Sequence, residues 1–243
     1  AVSDYLMEAD TLMGNAAVLH AAGVSWTIGS KYFDGINYGL FYNDWVLERI
    51  IQKVVSEAQR LKTPKILIGE CGHAARSAHQ FVPTFQNGNS LPVVSIIELT
   101  WQAVRNGKLR LKKDAILERV TYHDPCNIAR SGWIVDQPRQ LLRSFVDDFV
   151  ELQPHGKKNY CCGGGGGLVS LDETYDFRMQ VSGKAKADQI QASGAQIVVS
   201  PCANCKKQLR ELVGYYKLPV QIVGLHDLVL RAIDLEGSLD KKS

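Results

Sequence analysis

Five cysteines in the C-terminal half of the chain fall as one, two adjacent and a spaced pair: Cys126 in "YHDPCNIAR", Cys161 and Cys162 in "YCCGGGGGLV", and Cys202 and Cys205 in "SPCANC". A thiolate can be a nucleophile, a redox partner or a soft metal ligand, so the spacing has to choose among chemistries. Zinc takes four ligands, typically from two C-x-x-C-like knuckles, whereas this set offers five thiols and one knuckle. A redox C-x-x-C alone needs neither Cys126 nor the adjacent pair. Six cysteines in 243 residues are too few for a disulfide-built fold, and a bond between neighbouring cysteines strains the backbone. Sulfide-bridged iron is soft, takes thiolates as its usual ligands, and can use a fifth if the cluster departs from a simple cube. An iron–sulfur cluster is the expected occupant, with zinc as the alternative.

The glycines after Cys162 fit that chemistry. Cluster sulfides are electron-rich, and backbone N–H groups pointing at them stabilise the reduced state; glycine brings the backbone close through conformations with positive φ and no Cβ in the way. Gly163, Gly164 and Gly165, together with Asn204 inside the spaced pair, are expected to surround the cluster. The run is not a G-x-G-x-x-G phosphate loop, because Leu168 stands three residues after Gly165, and no Lys-Ser or Lys-Thr follows.

The cysteines need elements to hold them. "RVTY", "KKNY" and "QIVVS" read as strands before Cys126, Cys161 and Cys202, which places each thiol at a strand's carboxyl end, where open α/β sheets bind ligands. "KILIGECGHAARSA" (65–78) aligns without gaps on "QIVVSPCANCKKQL" (196–209), setting Cys71 opposite Cys202 and Ala74 opposite Cys205. Each reads as strand, turn and helix start, and "LPVVSIIEL" is echoed by "LPVQIVGLHDL", with Glu98 and Asp227 placed to cap helices. Apolar stripes predict helices over 44–61 and 136–152, and the "KLRLKK" alternation predicts a linking strand or hairpin near 105–118. The fold class is α/β: two pseudo-repeated Rossmann-like lobes, each a mainly parallel sheet with flanking helices. Residues 1–118 form a degenerate lobe without the full cysteine set, and 119–243 the cluster-binding lobe.

Bulk composition excludes other classes. A net charge of +3 from 28 basic and 25 acidic residues is too mild for a nucleic-acid surface. No apolar run reaches the 18 or so residues that would span a bilayer. The chain begins "AVSDYLMEAD" without an initiator methionine, so a processed chain or a fragment is expected.

Cys126, the Cys161-Cys162-Gly163 triplet and Cys202-x-x-Cys205 resemble the CCG motif, the cysteine-rich domain of heterodisulfide reductase catalytic subunits and their relatives. Within that family "YHDPCNIAR", "YCCGGGGGLV" and "PCANCKKQLREL" are most similar to the DsrK-like branch, the K subunits of sulfite-reductase-associated membrane complexes. The resemblance is dense over the second half and loose over the first. It implies one non-cubane 4Fe-4S cluster held by all five cysteines, at which the disulfide or trisulfide of a DsrC-like partner protein is reduced. It also implies membrane quinol-oxidising subunits and a ferredoxin-type domain or subunit as electron donors, and a cytoplasmic location at the inner face of the inner membrane through those partners. Related CCG subunits imply an alternative, an electron relay in a quinone-linked dehydrogenase; a metal-stabilised assembly module without catalysis is the non-enzymatic alternative. The first half departs from the motif, with Ala74 at the C-x-x-C partner position and "WTIGSKYFDG" where the adjacent pair would fall, so no second cluster is expected.

Reduction of a sulfur–sulfur bond takes protons as well as electrons. His123, His73 and Cys71 are the candidate catalytic groups, because imidazole titrates near neutrality and Cys71 lies opposite Cys202 in the repeat. The aromatic-rich "KYFDGINYGLFYNDW" reads as core packing or as a docking loop, and Lys206, Lys207 and Arg210 as a solvated face or an acidic partner's contact.

Overall fold

The computed structural model describes residues 8–33, 39, 42–86 and 91–234. Helix α1 (Ala9–Ala21) leads into a stretch without helix or strand over 24–29. Helix α2 (Asp44–Arg60) starts at Asn43, whose side chain accepts from the Val46 N–H at 2.9 Å, and buries the stripe Leu47, Ile51, Val54, Val55 and Ala58. Then follow β1 (Ile66–Ile68), α3 (Gly72–Thr84), β2 (Val93–Ser95) and α4 (Ile96–Arg105). Ser95 and Glu98 form a capping box at the start of α4.

The second half runs β3 (Val120–Tyr122), α5 (Cys126–Ala129), α6 (Asp136–Leu142) and β4 (Phe149–Val150). The one-turn helix α7 (Tyr175–Phe177) widens into a π-turn over Arg178–Ser182, and α8 (Lys184–Ser193), β5 (Ile197–Val199), α9 (Ala203–Tyr216), β6 (Gln221–Val223) and α10 (Leu225–Ala232) complete it. Asp227 accepts from the Gly224 N–H at 2.6 Å, the cap that "GLHDL" predicts.

The protein is α/β, with a parallel β1-β2 pair and a parallel sheet in the order β4-β3-β5-β6. In both sheets a helix joins neighbouring strands: α3 between β1 and β2, α9 between β5 and β6. Ile66 and Ile68 face α3, in one apolar cluster with Ala74, Ala75, Ala78 and Val82. In the second sheet it is the middle residue, Val198, that faces α9 beside Leu209 and Leu212. The two strands are thus one residue out of phase with the gapless sequence alignment, because successive side chains alternate faces. The largest core cluster runs from Val18 to Ile233 and joins α1, α4, β3, α6, β5 and α10. A Cβ at Gly14 would stand 2.1 Å from the His226 carbonyl oxygen, so α1 and α10 are in backbone contact.

Five local expectations are corrected. The 136–152 stripe is helical only to Leu142; Phe145 and Val146 are buried by a turn, and Phe149–Val150 pairs with β3. "KKNY" is a 3-10 turn and loop rather than a strand, because the edge beside β3 is taken by β4. The 105–118 link makes isolated bridges, Leu111 to Ile233 and Ile116 to Val146, and no hairpin. Lys206 is fully buried with Glu8 (3.0 Å) and Thr11 (2.6 Å), Arg210 pairs with the same Glu8 (2.7 Å), and Lys207 donates to the Val169 carbonyl, so these cations close α9 over its own chain. Of the aromatic run, Tyr32, Phe33, Tyr42 and Trp45 are exposed rather than core, and Tyr38 and Phe41 lie outside the described residues.

Candidate metal centre

Three segments deliver the cysteines to one point. β3 ends at Tyr122, and His123-Asp124-Pro125 carries the chain to Cys126 at the first position of α5. β5 ends at Val199, and Ser200-Pro201 leads to Cys202 at the N-cap of α9, with Cys205 three residues on. The Cys161-Cys162 loop is fixed from beneath by Asp124. Its buried carboxylate receives two bonds from Arg139 (2.8 and 2.7 Å) and one from the Gly156 N–H (2.7 Å), while the Asn159 amide donates to the Asp124 carbonyl (2.7 Å) and Arg130 donates to the Asn159 carbonyl. A charged, bidentate pair inside the fold orients its neighbours strongly.

All five thiols line a single small cavity, with Gly72, His73, Asn127, Gly165 and Asn204 completing its wall. The Sγ atoms of Cys162 and Cys205 are 3.4 Å apart, and the Gly163 N–H donates to Cys161 Sγ at 3.4 Å. None of the six cysteines is in a disulfide. The thiol of Cys126 hydrogen-bonds to Cys161, and with the Cys162 thiol and the Gly163 N–H this holds Cys161 far below the usual thiol range. The same bond, with burial, pushes Cys126 up; Cys162 is pushed up to about 12 by its bond to Cys161, and Cys205 up by its bonds to Cys162 and Cys202. One thiolate is therefore supported by a ring of thiols, a set that discharges protons when it takes up a cation.

The glycines differ in what they do. Gly163 (φ +89°) is locked: a Cβ would stand 2.6 Å from the Ser182 carbonyl carbon, and Ser182 Oγ donates to the Gly163 carbonyl at 2.9 Å. A Cβ on Gly164 would meet the Gln208 Cβ at 2.9 Å, and its N–H points at Cys162. Gly165 lines the cavity, with nothing within 4 Å of a Cβ built on it. Asn204 lies at the wall, its Nδ2 3.4 Å from His73 Nδ1.

His123 is buried within 4.8 Å of the Cys162 and Cys205 sulfurs, and neither ring nitrogen has a hydrogen-bond partner. Burial and the nearby Lys186 charge push its pKa well down, so the ring is neutral. Burial and Arg76 likewise lower His73. Cys71 caps α3 from within the apolar cluster of α2 and α3, not from the cavity wall. Sequence reasoning missed the Asp124–Arg139 latch, Gly72 and Lys186. Lys186 is fully buried, donates to Asn159 Oδ1 at 2.6 Å and to Gln189, and is lowered to about 8 by burial against the pull of Cys162 and Asp124. In "GKAKADQIQ" nothing but its place on the apolar side of α8 separates it from the exposed Lys184.

The donor set fits an iron–sulfur cluster. Five sulfurs exceed the four corners of a zinc tetrahedron, and the wall residue Gly165 leaves open space where a side chain would stand. A Cβ on Gly72 would come within 3.7 Å of Cys202 Sγ.

The model of the CCG cysteine-rich domain family matches residues 120–210, the stretch that carries all five ligand candidates. The chain is 29% identical to an Hdr-like menaquinol oxidoreductase iron-sulfur subunit of Archaeoglobus profundus, over 90% of this chain and 46% of that protein. It is 29% identical to one component of the dihydromethanophenazine:CoB–CoM heterodisulfide reductase of Methanosarcina mazei, over 91% of this chain and 54% of that protein. It is 26% identical to the EtfAB:quinone oxidoreductase of Syntrophomonas wolfei, over 79% and 28%. The chain spans about half the length or less of these curated relatives. These relatives are named as iron–sulfur or quinone-linked oxidoreductase proteins or as a heterodisulfide reductase, and the thiol set of this chain lies inside the matched domain. Residues 120–210 match the CCG cysteine-rich domain, and over most of its length the chain is similar to heterodisulfide reductase-like proteins.

Proposed function

We propose that this chain reduces a sulfur–sulfur bond at one non-cubane 4Fe-4S cluster held by Cys126, Cys161, Cys162, Cys202 and Cys205. The observation that carries the reading is the meeting of five thiols from three segments in one cavity. Such a cluster would supply electrons one at a time; a disulfide takes two electrons and two protons to give two thiols, and a trisulfide takes four of each to give two thiols and hydrogen sulfide. The chain's own residues bind and shape: the Gly163 and Gly164 N–H groups face the Cys161 and Cys162 sulfurs, and Asn127, Asn204 and His73 form the polar rim that a substrate sulfur would meet. His123, whose ring nitrogens lack partners, packs against the inner face of the ligand set; His73 on the rim and Cys71 behind it remain the other proposed participants.

The motif likeness to the DsrK-like branch supports a DsrC-like protein as the sulfur substrate. Relatives named as menaquinol and quinone oxidoreductases support electron supply from membrane quinol through partner subunits and a ferredoxin-type domain. No helix among the described residues is long and apolar enough to cross a membrane, so attachment to the cytoplasmic face would come through those partners. We also propose the division into lobes at residues 118 and 119.

A second reading, an electron relay in a quinone-linked dehydrogenase, is favoured by the likeness to the EtfAB:quinone oxidoreductase. Anaerobic protein should carry stoichiometric iron and sulfide and absorb broadly in the visible, and each Cys→Ser change in the five should lower iron while Cys71→Ala keeps it. A new electron paramagnetic resonance signal on adding a disulfide supports reduction at the cluster; an unchanged signal with full iron content supports the relay. Colourless, zinc-loaded protein would overturn both.

A further inference from the structure

A second cavity, of about 760 Å³ and lined by none of the thiols, is bordered by Ile66, Leu67 and Gly69 along β1 and by Val93 and Val94 of β2. The Ile66 N–H donates to the Pro92 carbonyl at 2.9 Å, so in a parallel ladder the next residue, Leu67, turns its N–H and C=O toward the other edge. That edge faces the cavity. The equivalent edge of β5 is filled: β3 lies there, and the Ile197 N–H donates to the Arg119 carbonyl at 3.1 Å. Leu12 and Leu19 of α1 with Leu99 of α4 wall the cavity beside β1 on one side, and Val54 and Leu61 at the end of α2 on the other.

The cavity is also lined by "VSWTI", residues 24–28, which belongs to no helix or strand and alternates apolar and hydroxyl side chains. Val24, Trp26 and Ile28 are 37%, 46% and 46% exposed, large apolar groups left without a covering layer. Asn15, 9% exposed, also lines the cavity, and its Oδ1 has no hydrogen-bond partner. A buried acceptor without a donor is costly, and an inserted backbone N–H would satisfy it.

We propose that this cavity is the seat of an extended peptide strand, apolar at alternate positions and supplied by polypeptide outside the 243 residues. It inserts between β1 and residues 24–28 and gives the order (24–28)-strand-β1-β2, the counterpart of β4-β3-β5-β6. Two observations favour a peptide over a small apolar molecule: the ladder groups at Leu67, and the repeat of a filled edge at β5. Curated relatives contain about as much polypeptide again outside the matched stretch, and β-strand addition to an open edge is a common recognition mode. The proposal goes beyond the redox reading and does not depend on the cluster.

The test uses the anaerobically purified chain and a capped synthetic peptide with the sequence of residues 118–123, Glu-Arg-Val-Thr-Tyr-His, the segment that fills the corresponding place beside β5. Saturable binding with hydrogen exchange slowed at least tenfold at the Leu67 amide and across 24–28 is expected. A peptide with proline at its valine should not protect. Asn15→Leu, and separately the exposed Trp26→Lys, should weaken binding at least fivefold with the fold intact by circular dichroism. No protection at any soluble peptide concentration overturns the proposal. So does an apolar dye that fills the cavity and is not displaced by peptide. Concentration-dependent protection of 24–28 with a dimer's mass in the absence of peptide would make a second copy the occupant, and would also overturn it.

Discussion

Replacing Gly163 by alanine tests whether the glycine loop is structural scaffolding or loose chain. The residue sits at φ +89°, and a Cβ there would stand 2.6 Å from the Ser182 carbonyl carbon and 2.7 Å from the Gly183 nitrogen and the Ser182 oxygen. These are backbone atoms and cannot swing aside. The left-handed conformation costs an L-residue about 1–2 kcal/mol. Overpacking against fixed atoms adds about 1–3 kcal/mol. The sum, about 2–5 kcal/mol, corresponds to a fall in Tm of roughly 4–20 °C for a chain of this size. Gly163 follows the adjacent cysteines and its N–H bonds Cys161, so the displacement should reach the ligand set. Gly165→Ala is the matched control. Nothing lies within 4 Å of its Cβ and its φ is not positive, so it should stay within about 0.5 kcal/mol of the parent. Thermal unfolding under anaerobic conditions checks the pair, and iron per chain is compared between Gly163→Ala and the parent, because a Cβ on Gly165 would enter the thiol cavity. If Gly163→Ala melts like Gly165→Ala and keeps the parent's iron, the reasoning from backbone contact is wrong.

Glu57 gives a pH dependence. Its bond from Arg60, with the Lys31 and Ser30 N–H groups, holds its pKa at about 2 against an ordinary 4.5. A carboxylate depressed in the folded state contributes stability that is complete above pH 4.5 and is lost as pH falls toward 2. Glu57→Gln should flatten that acid limb in urea titrations run at stepped pH, and an unchanged limb would contradict the assignment. Asp124→Asn leaves Arg139 buried with Glu151 (3.0 Å) as its remaining carboxylate, and should cost about 3 kcal/mol in urea unfolding, the lower end for a broken buried pair. Iron content should fall with it, because the Asp124 carboxylate also accepts from the Gly156 N–H, in the segment that leads into Cys161.

The five cysteines were legible because thiols are rare and their spacing is chemically specific, and because "RVTY" and "QIVVS" are unambiguous buried strands. β4 was not. Leu141, Leu142, Phe145, Val146 and Phe149 satisfy a helical period, yet a helix, a turn and a two-residue strand bury the same set, and so short an apolar run does not distinguish them. The repeat was legible as strand, turn and helix but not in its phase. A one-residue slip leaves the apolar composition of "ILI" and "IVV" unchanged while exchanging which side chain faces the crossover helix. Asp124 and Arg139 carry ordinary residue types at unremarkable spacing, and only the fold brings them together.

Charge links the site to these missed residues. Five sulfurs gathered in one cavity concentrate negative charge when ligated, and fixed groups must offset it without moving. Two are in place. The amino end of α9, with Cys202 at its N-cap and Cys205 in its first turn, brings the positive end of a 14-residue helix to the sulfurs. Lys186, buried on the far side and tied to Asn159 and Gln189, is held at about 8 by a balance in which burial lowers it while Cys162, Asp124 and Cys205 raise it. Added negative charge at the sulfurs moves that balance upward, so the ammonium becomes more firmly protonated as the site becomes more reduced. Lys186→Met would remove that response while keeping the stem's volume. The reduced form should then lose more stability than the oxidised form, seen as a lower midpoint potential in a redox titration; an unchanged potential would show that the compensation comes from the backbone alone.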